Sequence, residues 1–219
     1  NEEKTLKKLI EDFFAQDKYQ KEIIIIDDFS TDGTRELLKK YEGKVSKIIY
    51  NDKNYGKGYS IRKGISASNG DIILIQDADL EYSPTDYNKL LDPIINNHAD
   101  VVFGSRFRSG EVTRVLYFWH SVGNKFLTLL SNMMTNFNLT DMENCYKVFK
   151  SDVIKNIELN ENRFGFEPEI TAKLSKIENL KIFEVSTKYF GRTYKEGKKI
   201  TWKDGFAAIY CILKYKFFN

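Results

Sequence analysis

The sequence predicts an α/β fold: a mostly parallel sheet flanked by helices, followed by an amphipathic helix at the carboxyl end. Two observations predict it. Short apolar stretches rich in β-branched residues, such as Ile72 to Ile75, suit strands covered on both faces. The segments between them carry apolar residues at helical spacing, so strand and helix alternate along the chain.

The elements follow in order. Leu6, Leu9, Ile10, Phe13 and Phe14 share one face of a first helix. Glu22 to Ile26 is the first strand. It runs into a polar turn, Asp27-Asp28-Phe29-Ser30-Thr31-Asp32-Gly33-Thr34, and a helix from Arg35 to Tyr41. Val45 to Tyr50 is a second strand, Asn54 to Gly58 a loop, and Tyr59 to Ala67 a helix. Ile72 to Ile75 is the third strand, followed by a helix from Pro84 to Asn96. Asp100 to Phe103 is a fourth strand, leaving through Gly104-Ser105-Arg106. From Val115 to Leu139 the apolar face broadens to include Trp119, Phe126, Met133 and Phe137. This segment is a core helix, the commoner case, or an amphipathic helix on a membrane surface. Cys145 to Phe149 and Ile182 to Val185 read as strands, and Glu169 to Ile177 as a helix. Gly191 to Lys199 is a basic loop. Trp202, Phe206, Ile209, Tyr210, Leu213 and Phe217 then recur at helical spacing among Lys203, Lys214 and Lys216.

Length and composition narrow the class. A chain of 219 residues makes one domain, or one domain with an appendage. With 42% hydrophobic and 30% charged residues it is globular rather than disordered. The net charge of +3 gives no argument for nucleic acid. Lys188 to Asn219 holds eight Lys or Arg against two acids, a stretch suited to phosphates, to an anionic membrane surface, or simply to water. Cys145 and Cys211 are the only cysteines and lie far apart. A zinc site or disulfide framework is not expected, and a reducing compartment is. No signal peptide or bilayer-spanning apolar run is expected in these residues.

Four strand ends carry the chemistry. Asp77 and Asp79 follow the third strand. Residues two apart in an extended segment point the same way, so both carboxylates can meet one hard cation at the carboxyl edge of the sheet. Two oxygen ligands that leave room for phosphate and water suit Mg²⁺ or Mn²⁺. Alone, the pair reads more readily as an acidic turn before the helix at Pro84. Asp27-Asp28 could likewise belong to a helix cap, Gly56-Lys57-Gly58 to a plain turn, and Arg106 to the surface. Together at one edge they supply what a nucleoside diphosphate needs: carboxylates for base and ribose, glycine for close approach, and cations for the phosphates.

These motifs resemble the family 2 inverting glycosyltransferases of the GT-A fold. Within them the chain is similar to the polyprenyl-phosphate or dolichyl-phosphate hexose (mannose or glucose) synthases. The likeness runs through Ile25 to Thr34, Asn54 to Gly58, Gly70 to Glu81, Gly104 to Phe107, Leu139 to Lys147, Arg163 to Glu169 and Gly191 to Lys199. The resemblance implies that Asp27 and Asp28 contact the base and ribose of the donor. It implies that Asp77 and Asp79 hold the cation on the donor diphosphate, with Gln76, Ala78 and Glu81 beside them and Lys57 near the phosphates. Arg106 is then expected near the sugar or phosphates. Arg192 and Lys198 are expected to close over the diphosphate. Ser121, near His120 and Lys125, falls where the family contacts the acceptor phosphate.

The implied reaction moves a hexose from a UDP-glucose or GDP-mannose type donor to a polyprenyl or dolichyl phosphate, with inversion. A phosphate acceptor is already an anion and needs no strong base; a hydroxyl acceptor needs one. Asp141 and Glu143 are the nearest base candidates by resemblance, and both read as well as structural residues. The implied location is cytoplasmic, peripheral to the cytoplasmic face of a membrane, with a membrane-embedded partner possible in kind. The chain departs from the family at its start, where only Asn1-Glu2-Glu3 matches the end of the family's first strand. A catalytic domain at 1–201 lacking that strand and an amphipathic helix at 202–219 are therefore expected. The competing readings are a transferase acting on a saccharide hydroxyl, a sugar-phosphate nucleotidyltransferase, which should carry a Gly-rich amino-terminal signature not seen in this sequence, and an inactive nucleotide-sugar-binding fragment.

Overall fold

A computed structural model describes residues 1–115, 117–193, 196 and 202–218. Isoleucine and valine runs make the strands. β1 (Ile24–Asp27) pairs in parallel with β2 (Lys47–Tyr50), and Asp27 lies opposite Tyr50. β3 (Ile72–Ile75), β4 (Val101–Ser105), β5 (Lys147–Lys150) and β6 (Ile182–Ser186) form a second sheet in the order β3-β5-β4-β6. β4 and β6 are parallel, whereas β5 runs against both β3 and β4. The sheet thus has one prevailing direction with a single reversed strand. An apolar run carries no direction, so the sequence around Cys145 could not signal the reversal.

The helices are α1 (Glu3–Ala15), α2 (Thr34–Lys39), α3 (Lys57–Ala67), α4 (Tyr87–Ile95), α5 (Phe118–Thr135), α6 (Ser151–Lys155), α7 (Phe166–Leu174) and α8 (Trp202–Phe217). Alternation along β4 divides the core. Val101 and Phe103 join Ile73, Phe149, Phe166 and Ile170 on one face; Val102 joins Tyr146, Val148, Leu90 and Ile94 on the other. This two-sided burial fixes the carboxyl ends of β3 and β4, from which the site residues project.

β1 and β3 do not pair with each other. Among the described residues each has one bonded neighbour, β2 and β5 respectively, so each keeps an open edge there. A cavity of about 1000 Å³ separates them. Ile24 to Ile26 and Ile72 to Ile75 line it, and Asp28, Lys57, Gln76 and Asp77 stand along it. The slot therefore reaches the polar residues at the strand ends.

α5 reverses the commoner expectation for an apolar helix. Its buried residues are Thr128 and Ser131, while Phe118, Phe126, Leu129 and Met133 are exposed and Trp119 is 79% exposed. Thr128 faces inward because its hydroxyl accepts from the Met142 amide at 3.2 Å. α8 packs on α5 and α7 through Ala208, Cys211, Ile212 and Tyr215, yet leaves Trp202, Phe206, Tyr210 and Phe217 outside. Among the described residues no helix is long and apolar enough to cross a membrane.

Candidate active site

The site begins where β3 ends. Leu80 takes a left-handed backbone, φ 58°, directly after Asp79. That conformation costs a branched residue about 1–2 kcal/mol. It turns the chain so that the Glu81 amide donates to Asp79 Oδ1 at 3.1 Å. Gln76 fixes the approach from the other side. Its Nε2 donates to the Asp77 carbonyl at 2.8 Å, and its Oε1 accepts from the hydroxyls of Tyr87 and Tyr146. The Ala78 carbonyl accepts from Thr5 Oγ1 at 2.9 Å, tying the turn to α1.

Each of the two carboxylates meets a cation of the protein. Lys57 Nζ lies 3.0 Å from Asp77 and 2.8 Å from Glu167, with Cys145 Sγ at 3.3 Å. Gly56 and Gly58 make this reach available. A Cβ on either would run into the backbone carbonyls of Asn162 or Glu161, and Gly56 has φ 100°. Arg192 Nη2 lies 2.9 Å from Asp79, and Nη1 stands 3.3 Å from Glu2. The Arg192 amide donates to Glu81 Oε1 at 2.8 Å, and the Tyr189 hydroxyl donates to Glu81 Oε2 at 3.0 Å. Glu81 therefore places the loop that carries Arg192.

The charges are unevenly balanced. Burial raises Asp77, but Lys57 outweighs it and holds the carboxyl below its usual range. Burial, then the charges of Asp77 and Glu81, push Asp79 up to about 7 despite Arg192. Burial would lower Lys57, yet Asp77, Cys145 and Glu167 hold it well above the lysine range. The neighbouring carboxylates Asp77 and Glu81 thus outweigh Arg192 at Asp79, and a further cation would relieve their repulsion. Two carboxylate ligands of this kind fit Mg²⁺ or Mn²⁺ completed by phosphate and water. Among the described residues no group of three His, Cys, Asp or Glu could hold a metal alone.

The predicted donor-binding residues are largely engaged with one another. Asp27, at the end of β1, accepts from the Ser30 amide at 3.1 Å and pairs with Arg35 Nε. Asp28 accepts from Asn51 Nδ2 at 2.9 Å and from the amides of Tyr55 and Gly56 at 2.9 and 2.7 Å. These contacts lock the β1 exit to the loop before α3. Arg106 forms a fork with Asp141, at 2.7 and 2.6 Å, and its amide donates to the same carboxylate. Asp141 is fully buried. Ser121 lies in the first turns of α5, half-buried, near Lys125, whose Nζ stands 5.8 Å from the Phe107 ring beside Arg106. Lys198 lies outside the described residues.

The structure adds residues that the motifs left without a role. Glu167 is carried by the start of α7, in the Arg163 to Glu169 stretch, and only the tertiary contact with Lys57 discloses it. Arg35 and Asn51 brace Asp27 and Asp28. Cys145 joins Lys57 beside Asp77. In the sequence Glu167 stands in the Arg163 to Glu169 stretch and near a helix start, and neither signal names its partner.

Residues 1–158 match the profile described as Glycosyl transferase family 2. The chain belongs to this family of glycosyltransferases. It is 29% identical to glycosyltransferase AglJ of Haloferax volcanii over 88% of this chain, and it spans only 61% of that relative's length. It is 27% identical to the UDP-N-acetylglucosamine–dolichyl-phosphate N-acetylglucosaminyltransferase of Methanococcus voltae, over 99% of this chain and 92% of the relative. Glucosyl-3-phosphoglycerate synthase of Mycobacterium tuberculosis, crystallised with Mn²⁺, UDP and phosphoglyceric acid, superposes with a TM-score of 0.76. That match covers 100% of this chain and 76% of the other at 15% identity, and it shows the fold. The α/β architecture is thus of the GT-A kind.

Proposed function

We propose that this glycosyltransferase moves a hexose from a nucleotide diphosphate sugar to a polyprenyl or dolichyl phosphate at a membrane surface. The observation that carries the donor half is the cluster at the end of β3, where Asp77 and Asp79 stand within reach of Lys57 and Arg192. Asp77 and Asp79 would hold the divalent cation, which when bound neutralises the leaving diphosphate. Arg192 is placed to release Asp79 and take a phosphate oxygen instead, since a guanidinium serves carboxylate and phosphate equally well. Lys57 keeps Asp77 ionised and ready to ligate. Gln76, Ala78 and Glu81 hold the turn, and the braced Asp27–Asp28 corner shapes the floor on which base and ribose would rest.

The acceptor half draws on the dolichyl-phosphate relative, which the chain matches along nearly its whole length. Attack by a phosphate oxygen at the anomeric carbon, opposite the departing diphosphate, would invert that centre. The exposed aromatic residues of α5 and α8 lie on neighbouring helices and suit the bilayer interface. Exposed Lys125, Lys203 and Lys216 can meet anionic headgroups, whereas Lys214 is taken by Glu161 at 2.8 Å. The test is a panel of UDP- and GDP-sugars with Mg²⁺ or Mn²⁺, offered a short polyprenyl phosphate, the matching alcohol and an oligosaccharide. Label is expected in the lipid phosphate alone. Label in the oligosaccharide alone assigns the protein to hydroxyl acceptors.

A further inference from the structure

Lys57 Nζ stands between two carboxylates, 3.0 Å from Asp77 and 2.8 Å from Glu167. The two seats differ in access. Lys57 and Asp77 line the cavity between β1 and β3, and the Asp77 side chain is 25% exposed. Glu167 is not among the residues that line it, and its side chain is 4% exposed. A cation arriving from solvent can therefore reach Asp77 but not Glu167.

The seats also differ in what they hold. Glu167 Oε1 faces Lys57, while Oε2 is buried with no hydrogen-bond partner among the described residues. A buried carboxylate oxygen without a donor costs free energy. Lys147, a second buried lysine that acts on Glu167, is engaged by the carbonyls of Met142 and Asn144 and does not fill that place. An ammonium has three N–H donors, and those of Lys57 face Asp77, Glu167 and, at 3.3 Å, Cys145 Sγ. Releasing Asp77 would free one of them for Oε2.

The two partners are unequally mobile. Glu167 lies in the first turn of α7, whose Phe166 and Ile170 are in the core, and its carbonyl accepts from Thr171 Oγ1 at 2.8 Å. Lys57 opens α3 on a flexible four-carbon stem. The carboxylate is fixed and the ammonium can swing.

We propose that Glu167 is a positioning residue, the inner seat to which Lys57 withdraws when Asp77 ligates the cation of the donor. Two cations on one carboxylate repel each other, and Glu167 relieves that repulsion by drawing the lysine back. The inference rests on the metal role of Asp77 and Asp79 given above.

The experiment is calorimetry of Mn²⁺, alone and with UDP or GDP, on wild type, Glu167→Gln, Lys57→Met and the double variant, with melting temperatures to show that each is folded. Glu167→Gln leaves Lys57 with Asp77 as its charged seat and is expected to weaken Mn²⁺ binding by ~10-fold. In the Lys57→Met background the same change should cost less than about 2-fold, because no ammonium remains to be moved. An equal loss in both backgrounds overturns the inference, since Glu167 would then act through its charge or through the fold; an unchanged affinity in Glu167→Gln also overturns it. A crystal structure of the wild type with Mn²⁺ and UDP reads the same claim should a variant not fold. Lys57 Nζ is expected on Glu167 and beyond about 4 Å from Asp77. Lys57 still paired with Asp77, or placed on a diphosphate oxygen instead of Glu167, overturns the inference and leaves the metal role standing. A wild type that binds Mn²⁺ neither alone nor with a nucleotide removes the metal role, and the inference falls with it.

Discussion

Asp79 Oδ2 accepts from Arg192 in this structure and is also an oxygen that a divalent cation would use. On the proposed metal reading the two cations would compete for that oxygen. Arg192→Gln is expected to bind Mn²⁺ alone more tightly and UDP or GDP with Mn²⁺ more weakly, each by about 10-fold, as read by calorimetry. Weakening of both affinities would mean that Arg192 only holds its loop in place. Glu143 makes a second prediction, about stability. Its carboxyl is near 4.5 when unfolded and about 8 when folded, so the folded state binds the extra proton. Stability contributed by that proton is present at low pH and is lost as pH rises from 4.5 through about 8. Glu143→Gln cannot lose a proton. Its melting temperature should gain on wild type steadily across this range, and parallel melting curves would show that Glu143 ionises normally.

The elements with strong patterns were legible from sequence, and those whose meaning depends on a neighbour were not. β3 and α1 follow from the Ile72 to Ile75 run and from Leu6, Leu9 and Ile10. The α5 pattern predicted a helix, a core one in the commoner case, but periodicity cannot say which face meets the core; Thr128 and Ser131 do, Thr128 through a bond from the Met142 amide that only the folded chain supplies. Glu167 lay in a recognised stretch, and its role appears only when α7 meets Lys57. Two predictions belong at this scale. The open edges of β1 and β3 face a slot lined by isoleucines. An apolar strand of about eight residues fused ahead of Asn1 should bond both edges and raise melting temperature and nucleotide affinity together. No change in either would show that the slot does not accept a strand. The exposed faces of α5 and α8 should carry the protein onto anionic vesicles at low salt, each basic contact contributing about 1 kcal/mol. Replacing Lys125, Lys203 and Lys216 by Gln should reverse this binding in co-sedimentation, and unchanged partition would assign those faces to another protein.

Across the whole molecule, the fold brings four distant stretches to one edge: the β1 exit, the start of α3, the turn after β3 and the loop carrying Arg192. The exposed faces of α5 and α8 flank the chain segments that follow β4 and that loop. On the proposed reading, Asp77 and Asp79, at the end of β3 where these stretches meet, form the donor diphosphate site. Calorimetric binding of UDP and GDP, with Mn²⁺ and with EDTA, to wild type and to Asp79→Asn tests this most directly. Binding should require the metal and fall by about 100-fold or more in the variant, whose melting temperature should hold or rise because a strained buried charge has been removed. Equal binding in EDTA, or full binding by a folded Asp79→Asn protein, would contradict the assignment of this carboxylate pair as the donor diphosphate site.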